Sequence, residues 1–428
     1  MKFTELNLPE SVMQGIVDAG FETLTPVQQE SIPLALQGKD VAAQAQTGTG
    51  KTAAFLISLF CRLLASQRPT GPDPRALVMA PTRELVVQIC QDAEVLGQHT
   101  GIRVQPIFGG VDYEKQRQAL KDGVDIIVAT PGRLIDYFKQ RVFSLKKVEA
   151  LVIDEADRMF DMGFIKDLRF LLRRLPPFDQ RQTLLFSATL STQVMELAYE
   201  FMDLAQRVEI APDQVSAEGI EQILYHVSRR EKFALLLGLL QREEAAERVM
   251  LFVNTKVEAE RLQALLHANA LSCAVLSGDI PQKKRMRILD QFKAGEITHL
   301  VATDVASRGI HVDQVTHVIN YDLPQDREDY VHRIGRTARA GAVGRAISFA
   351  DEETVYVLSD IEDYLGFKIP SEMPQEEDFC FDYKRARPKK KRPPVDKNPS
   401  PRKRTRPPRR KKPRKATSGG QRPPGTSE

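Results

Sequence analysis

Two segments of the chain carry residue types that can handle a polyphosphate. Ala45-Gln46-Thr47-Gly48-Thr49-Gly50-Lys51-Thr52 joins glycines to a cation and a hydroxyl, and Leu151-Val152-Ile153-Asp154-Glu155-Ala156-Asp157 ends an apolar run in acids. Gly48 and Gly50 allow a tight turn and a close backbone approach. The N–H groups that open a following helix then face the anion, where the helix dipole favours it. Lys51 can reach the β- and γ-phosphates, and the Thr52 hydroxyl can take Mg²⁺. Asp154 is placed to hold Mg²⁺ through water. Glu155 is then free to orient and activate an attacking water, because phosphoryl transfer needs positioning and charge neutralisation more than covalent chemistry. Alone, the first segment reads as a Gly/Thr-rich turn and the second as a surface acid cluster; together they describe an NTPase. Ala45 departs from the usual first glycine of the phosphate-loop pattern.

Such residues act only when strand ends hold them. Asp40-Val41-Ala42-Ala43 supplies a short apolar strand, and Ala53, Ala54, Phe55, Leu56, Ile57, Leu59 and Phe60 continue at the spacing of a buried helix. Further apolar runs feed polar motifs: 76–80 into Pro81-Thr82-Arg83-Glu84-Leu85, 125–129 into Thr130-Pro131-Gly132-Arg133, and 183–186 into Ser187-Ala188-Thr189. Helical segments between them imply β-α alternation and a parallel sheet, with sites at the carboxyl ends of its strands. A polar stretch at 212–219 suits a hinge. A second β-α series follows, its runs ending at Asn254-Thr255, Ser277-Gly278-Asp279 and Thr303-Asp304, and it closes with 329–339. This half has no phosphate loop, so it must serve the first half in trans. Arg333, Arg336 and Arg339 recur every three residues, which on one helical turn crowds cations that need anions opposite them.

Composition sets the frame. At 428 residues and 42% hydrophobic content, the chain can fill two cores of about 150–200 residues each. No run approaches the roughly 18 apolar residues of a membrane span, so no membrane role is expected, and the start lacks an apolar signal segment, so secretion is not expected. Cys61, Cys90, Cys273 and Cys380 are far apart, which argues against a metal or disulfide framework and fits a reducing cytoplasm. The net charge of +4 describes neither part of the chain. Residues 384–428 hold 19 Lys/Arg against two acids, or +17, so the remainder carries 42 basic and 55 acidic residues, or −13. The tail also holds ten prolines and cannot bury a core. It is expected to be disordered and to attract phosphate backbones in a salt-dependent way.

With these surroundings, Asp154-Glu155-Ala156-Asp157 resembles the signature of the DEAD-box family of ATP-dependent RNA helicases, and the resemblance covers essentially residues 1–367. It implies two tandem RecA-like parallel-sheet domains and a disordered basic C-terminal tail: a first domain at 1–207, a linker at 208–222, a second domain at 223–367 and the tail at 368–428. ATP and Mg²⁺ are the implied cofactors. Phe3, Phe21 and Gln28 match the adenine-reading motif, Gln28 through a bidentate amide, although Leu24 stands where the family commonly has Pro. With 45–52 they form the nucleotide set, including Gln46, Thr47 and Thr49. Pro81, Thr82, Arg83, Gly109, Gly110, Thr130, Gly132, Arg133, Thr255, Gln282, Arg285 and Thr303 match RNA-backbone positions, which position a strand without reading its bases.

The resemblance also assigns Arg336 and Arg339 as fingers on the γ-phosphate, with His332 linking to the Asp154–Asp157 segment. Ser187, Thr189, Asp157 and Asp304 are its coupling residues. His311 and Ala338 depart from the pattern. His311, Gly163-Phe164-Ile165-Lys166-Asp167 and Arg173-Arg174-Leu175-Pro176-Pro177 are similar to the bacterial RhlB-type subgroup, which implies work in RNA decay or ribosome assembly with a protein partner. The tail would bind RNA or ribonucleoprotein. A DNA-stimulated translocase and a non-catalytic RNA-binding scaffold are the alternative readings.

Overall fold

The computed structural model describes residues 1–45, 48–67, 70–210, 220–242, 247–307, 315–337 and 344–386. Gln46, Thr47, His311, Ala338, Arg339 and the tail from 387 onward lie outside them.

Short strands form two parallel sheets, the central ones apolar, as expected for strands buried on both faces, and the edge strands at 206–209 and 371–372 polar and exposed. The first contains β1 (Val41–Gln44), β2 (Ala76–Met79), β3 (Val104–Ile107), β4 (Ile126–Ala129), β5 (Ala150–Ile153), β6 (Gln182–Ser187) and β7 (Gln206–Glu209), in the order β3-β4-β2-β5-β6-β1-β7. The second contains β8 (Ile220–His226), β9 (Val249–Phe252), β10 (Cys273–Leu276), β11 (His299–Ala302), β12 (His317–Asn320), β13 (Gly344–Ala350) and β14 (Ser371–Glu372). Its order, β10-β11-β9-β12-β13-β8-β14, repeats the first strand for strand. Both sheets are RecA-like, with helices on each face.

The two-residue period of a strand divides each core. Ala76 and Val78 of β2 enter one apolar cluster, while Leu77 and Met79 enter the cluster on the other face. Val249 and Leu251 of β9 separate from Met250 and Phe252 in the same way. Hydroxyls at the strand ends start the following helices: Thr82 Oγ1 accepts from Leu85 N at 3.3 Å, and Thr255 Oγ1 from Glu258 N at 3.2 Å.

Two expected boundaries move. Residues 208 and 209 belong to β7, which pairs with β1, and 220–222 belong to β8, so the 208–222 linker that the resemblance implies is cut back at both ends, toward the polar stretch at 212–219. The segment after 367 also stays with the second domain: β14 pairs with β8, and Phe379, Cys380, Tyr383 and Ala386 pack on its core. Cys380 N donates to Ala234 O at 3.0 Å, and Lys384 N to Asn269 Oδ1 at 2.9 Å. Gly238, inside the Lys232–Arg242 helix, permits this strap, since a Cβ there would lie 2.0 Å from Asp378 O. The basic tail therefore starts after 386, close to the 384 that its composition suggests and beyond the 368 that the resemblance implies.

Candidate nucleotide and nucleic-acid site

The phosphate loop leaves β1 and enters the Lys51–Ala65 helix through Gly50, whose φ of 87° is open to glycine and strained for other residues. Beside it, β5 delivers Asp154 and Glu155. Lys51 Nζ stands 2.8 Å from Asp154 Oδ1 and 3.7 Å from Glu155 Oε1, with all three side chains almost fully buried. Burial lifts the Asp154 carboxyl above its ordinary value even against the pull of Lys51. Burial would also lower the Lys51 ammonium, but Asp154 and Glu155 more than offset it and hold it raised. Phosphates entering this site would compete with the carboxylates for Lys51.

Asp154 also accepts Glu155 N at 2.9 Å through Oδ1, while its buried Oδ2 has no hydrogen-bond partner. A buried oxygen without a partner is costly, and it fits an ion or its water. Among the described residues no group of three His, Cys, Asp or Glu gathers to hold a metal. Mg²⁺ would thus be held by Thr52 and Asp154, with water and phosphate oxygens completing its shell. Glu155 has a φ of 51°, a left-handed turn that starts the Ala156–Asp161 helix. Such strain in a non-glycine residue clusters at functional sites. Arg158, one turn later, is buried with its Nε 3.6 Å from Glu155 Oε2. Its spacing from Glu155 was available in the sequence, yet that alone could not show it turned inward.

The coupling residues meet here in part. Asp157 N donates to Ser187 Oγ at 3.1 Å, and Ala45 N to Ser187 O at 2.8 Å, so the end of β6 touches both phosphate segments. Thr189 lies half-buried just beyond. Gln28 is 3% exposed, and both ends of its amide are engaged: Oε1 accepts Thr25 N at 2.9 Å, and Nε2 donates to Gly50 O at 3.0 Å. The amide therefore braces the phosphate loop, while the second lone pair of Oε1 and the second N–H of Nε2 are the groups with which it could pair with adenine. Phe3 is buried and Phe21 is 41% exposed, their rings stacked at 6.4 Å. Phe21 offers the open face, and Phe3 supports it from the core.

A second cluster collects guanidinium groups at the ends of β2, β3 and β4. A Cβ at Gly109 would lie 3.3 Å from Arg83 Nη2 and 3.7 Å from Arg133 Nη2, so both cations flank the Gly109-Gly110 backbone. Arg133 sits over the rings of Tyr113 and Tyr137, at 5.0 and 5.7 Å, which fixes its direction. Pro81 and Thr82 lead into Arg83, and Thr130, Pro131 and Gly132 into Arg133. Glu84, next to Arg83, pairs with Arg285 Nε of the second domain at 2.6 Å, both side chains nearly buried. Burial pulls the Arg285 guanidinium below its ordinary value; Glu84 opposes this, and the nearby Arg83 adds to it. Arg285 also donates to Ala306 O, in the turn that starts at Thr303. Thr255 and Thr303 close β9 and β11, and Gln282 opens the Gln282–Lys293 helix, although its side chain lies outside the described features.

Arg333 and Arg336 do not share one helical face. The Arg327–Ile334 helix ends before Arg336, because Gly335 caps it. Arg333 turns into the second domain, 2% exposed, and clasps Asp304 with two bonds of 2.6 and 2.7 Å, while Nη2 also donates to Asn254 Oδ1 at 3.0 Å. Asp304 is thereby tied to Arg333. Arg336 is buried, with Nε donating to His332 O at 3.1 Å. His332 pairs with Asp329, at 3.8 Å, on its own helix.

Family models match in the same places: residues 25–197 match the DEAD/DEAH box helicase domain, and residues 231–341 the helicase conserved C-terminal domain. The chain belongs to the DEAD-box helicase family. It is 51% identical over 372 residues to ATP-dependent RNA helicase RhlB of Shewanella oneidensis, covering 86% of this chain and 84% of that protein. It is 54% identical over 376 residues to the RhlB of Xanthomonas axonopodis pv. citri, where it spans 65% of the relative's length. The structure of S. cerevisiae Dbp5 bound to RNA and ADP BeF3 overlays with a TM-score of 0.77 at 32% identity, over 87% of this chain and 95% of that one. Among the described residues of this DEAD-box chain, no helix is long and apolar enough to cross a membrane.

Proposed function

We propose that the chain is an ATP-dependent RNA helicase that locally unwinds RNA duplexes and remodels ribonucleoprotein. The observation that carries this reading is the Glu84–Arg285 contact. It brings the second domain against the strand ends where Arg83 and Arg133 gather, while the same sheet holds Lys51, Asp154 and Glu155. The RNA held by Dbp5 in the similar structure and the helicase names of the relatives support it.

In this mechanism the phosphate-loop backbone and Lys51 bind the triphosphate, and Gln28 and Phe21 hold the adenine side. Thr52 and Asp154 would hold Mg²⁺, which would supply charge neutralisation for the phosphates. Glu155 orients the attacking water and takes its proton. Arg83, Arg133, Thr255, Thr303 and the Gly109-Gly110 backbone grip one strand of RNA through its phosphates. Closure brings Arg336 and Arg339 onto the γ-phosphate, and fingers of this type contribute about 10³–10⁵ in rate. Ser187, touching Asp157 and Ala45, transmits the state of the phosphate site to the grip. The basic tail holds RNA or ribonucleoprotein nearby, and a protein partner in RNA decay or ribosome assembly, in the cytoplasm, fits the RhlB likeness. The test is displacement of a short strand from an RNA duplex by the full chain. ATP-dependent release from RNA is expected, and equal release from the matching DNA duplex would replace the reading with that of a DNA translocase.

A further inference from the structure

The Ile165–Leu172 helix carries a stripe that neither the nucleotide site nor the cleft uses. Leu168, Leu171 and Leu172 face the core, whereas Lys166, Arg169, Phe170, Arg173 and Arg174 recur at i, i+3, i+4, i+7 and i+8 on the outer face. These five side chains line one shallow concavity. The Arg174 guanidinium lies 3.5 Å over the Phe170 ring, and Lys139 Nζ approaches the same ring at 5.4 Å. Glu200 opposes them, at 3.0 Å from Arg169 and 3.3 Å from Arg173. A basic surface of this density stands out on a body that outside the tail carries −13.

Position indicates the occupant. Lys139 closes the Pro131–Lys139 helix, whose first turn holds Gly132 and Arg133, and its Phe138 packs on Phe170 with ring centroids 6.3 Å apart. At 1.5 Å per residue, those nine residues span about 13 Å. That is about four nucleotides of a strand at 3.4 Å each. We infer that this stripe is a second anchor for the phosphate backbone of RNA flanking the segment held in the cleft. The inference rests on the RNA-helicase reading. A planar guanidinium fixed on a ring also offers a face on which a base can stack, which favours a nucleic acid over an acidic protein surface.

The test uses the full chain and two RNAs: a single strand just long enough for the cleft, and the same strand extended by a duplex flank. In the triple variant Lys166→Gln, Arg173→Gln, Arg174→Gln, the slope of log affinity against log salt for the flanked RNA falls by about 2–3, at about 0.9 per lost phosphate contact. Affinity for the short strand and the ATP turnover it stimulates stay unchanged. Glu200→Gln, which releases Arg169 and Arg173, moves binding of the flanked RNA the opposite way, so a folding defect cannot imitate the pair. Identical slopes for the triple variant and the parent chain overturn the inference, as does a loss that appears equally with the short strand. Binding of polyglutamate that both variants alter, with RNA binding unmoved, overturns it in favour of an acidic protein. Absence of any stimulation of the parent chain by the short strand would instead remove the helicase reading itself.

Discussion

Replacing Gly50 by alanine separates two burdens that the structure places on one atom. With φ at 87°, alanine costs about 1–2 kcal/mol of backbone strain. Its Cβ would also lie 2.5 Å from Gln28 Nε2 and 3.0 Å from Thr25 Oγ1, an overlap that displaces the amide and adds about 1–3 kcal/mol. Together these amount to about 2–5 kcal/mol, or a loss of ATP affinity of roughly 30- to 5,000-fold at 1.36 kcal/mol per decade. The assay is a titration with a fluorescent ATP analogue, run on Gly50→Ala, Gln28→Ala and the double variant. Removing the Gln28 amide relieves the closer overlap and leaves the strain and the Thr25 contact, so the double variant should bind better than the sum of the single losses predicts, by about 1–3 kcal/mol. Strict additivity would refute the claim that Gln28 braces the loop, and so would a Gly50→Ala chain with parental affinity.

Five further outcomes follow from the geometry. Glu155→Gln should lower ATP turnover by about 10²–10⁴ while ATP and RNA binding persist, since the isosteric amide keeps the shape of the side chain but cannot accept the proton; single-turnover hydrolysis and equilibrium binding check both halves. Asp304→Ala leaves Arg333 as a buried cation without its two-bond partner, so it should destabilise the second domain by about 3–5 kcal/mol in denaturant titration. Burial pushes the thiols of Cys61, Cys90 and Cys273 up to about 12, so at pH 8 Cys380, the half-buried thiol, should be the first to react with a disulfide reagent, as mass mapping would show. Removal of the tail after 386 should weaken RNA binding and flatten its salt slope with turnover retained. A cut at 381 should also lower stability, because it strips Tyr383 from Phe233, a ring pair at 4.8 Å.

The chemistry was legible where it depends on local spacing. Gly48 to Thr52 and Asp154 to Asp157 carry their meaning in adjacent residues, and apolar runs ahead of them announce buried parallel strands. What escaped was orientation. Arg333 sits in the same three-residue rhythm as Arg336, and only the end of the helix at Ile334 shows that it turns inward to Asp304. Gln28 reads as an amide open to a base, yet its partner Gly50 lies far away in sequence. The strap through Tyr383 mixes acids with aromatics and has no period, so the resemblance leaves it in the tail, while its backbone bonds to Ala234 and Asn269 attach it to the fold. The repeated strand order of the two sheets leaves no sequence repeat, because each position asks only for an apolar residue.

The central claim is that the nucleotide site is complete only when RNA joins the two domains. Steady-state ATP hydrolysis by the full chain, with and without saturating single-stranded RNA, tests it most directly. RNA should raise the rate many-fold in the parent chain and barely move it in Arg336→Lys, which keeps the charge but loses the planar fork. An ATPase equally fast without RNA, or an Arg336→Lys chain stimulated as fully as the parent, would contradict it.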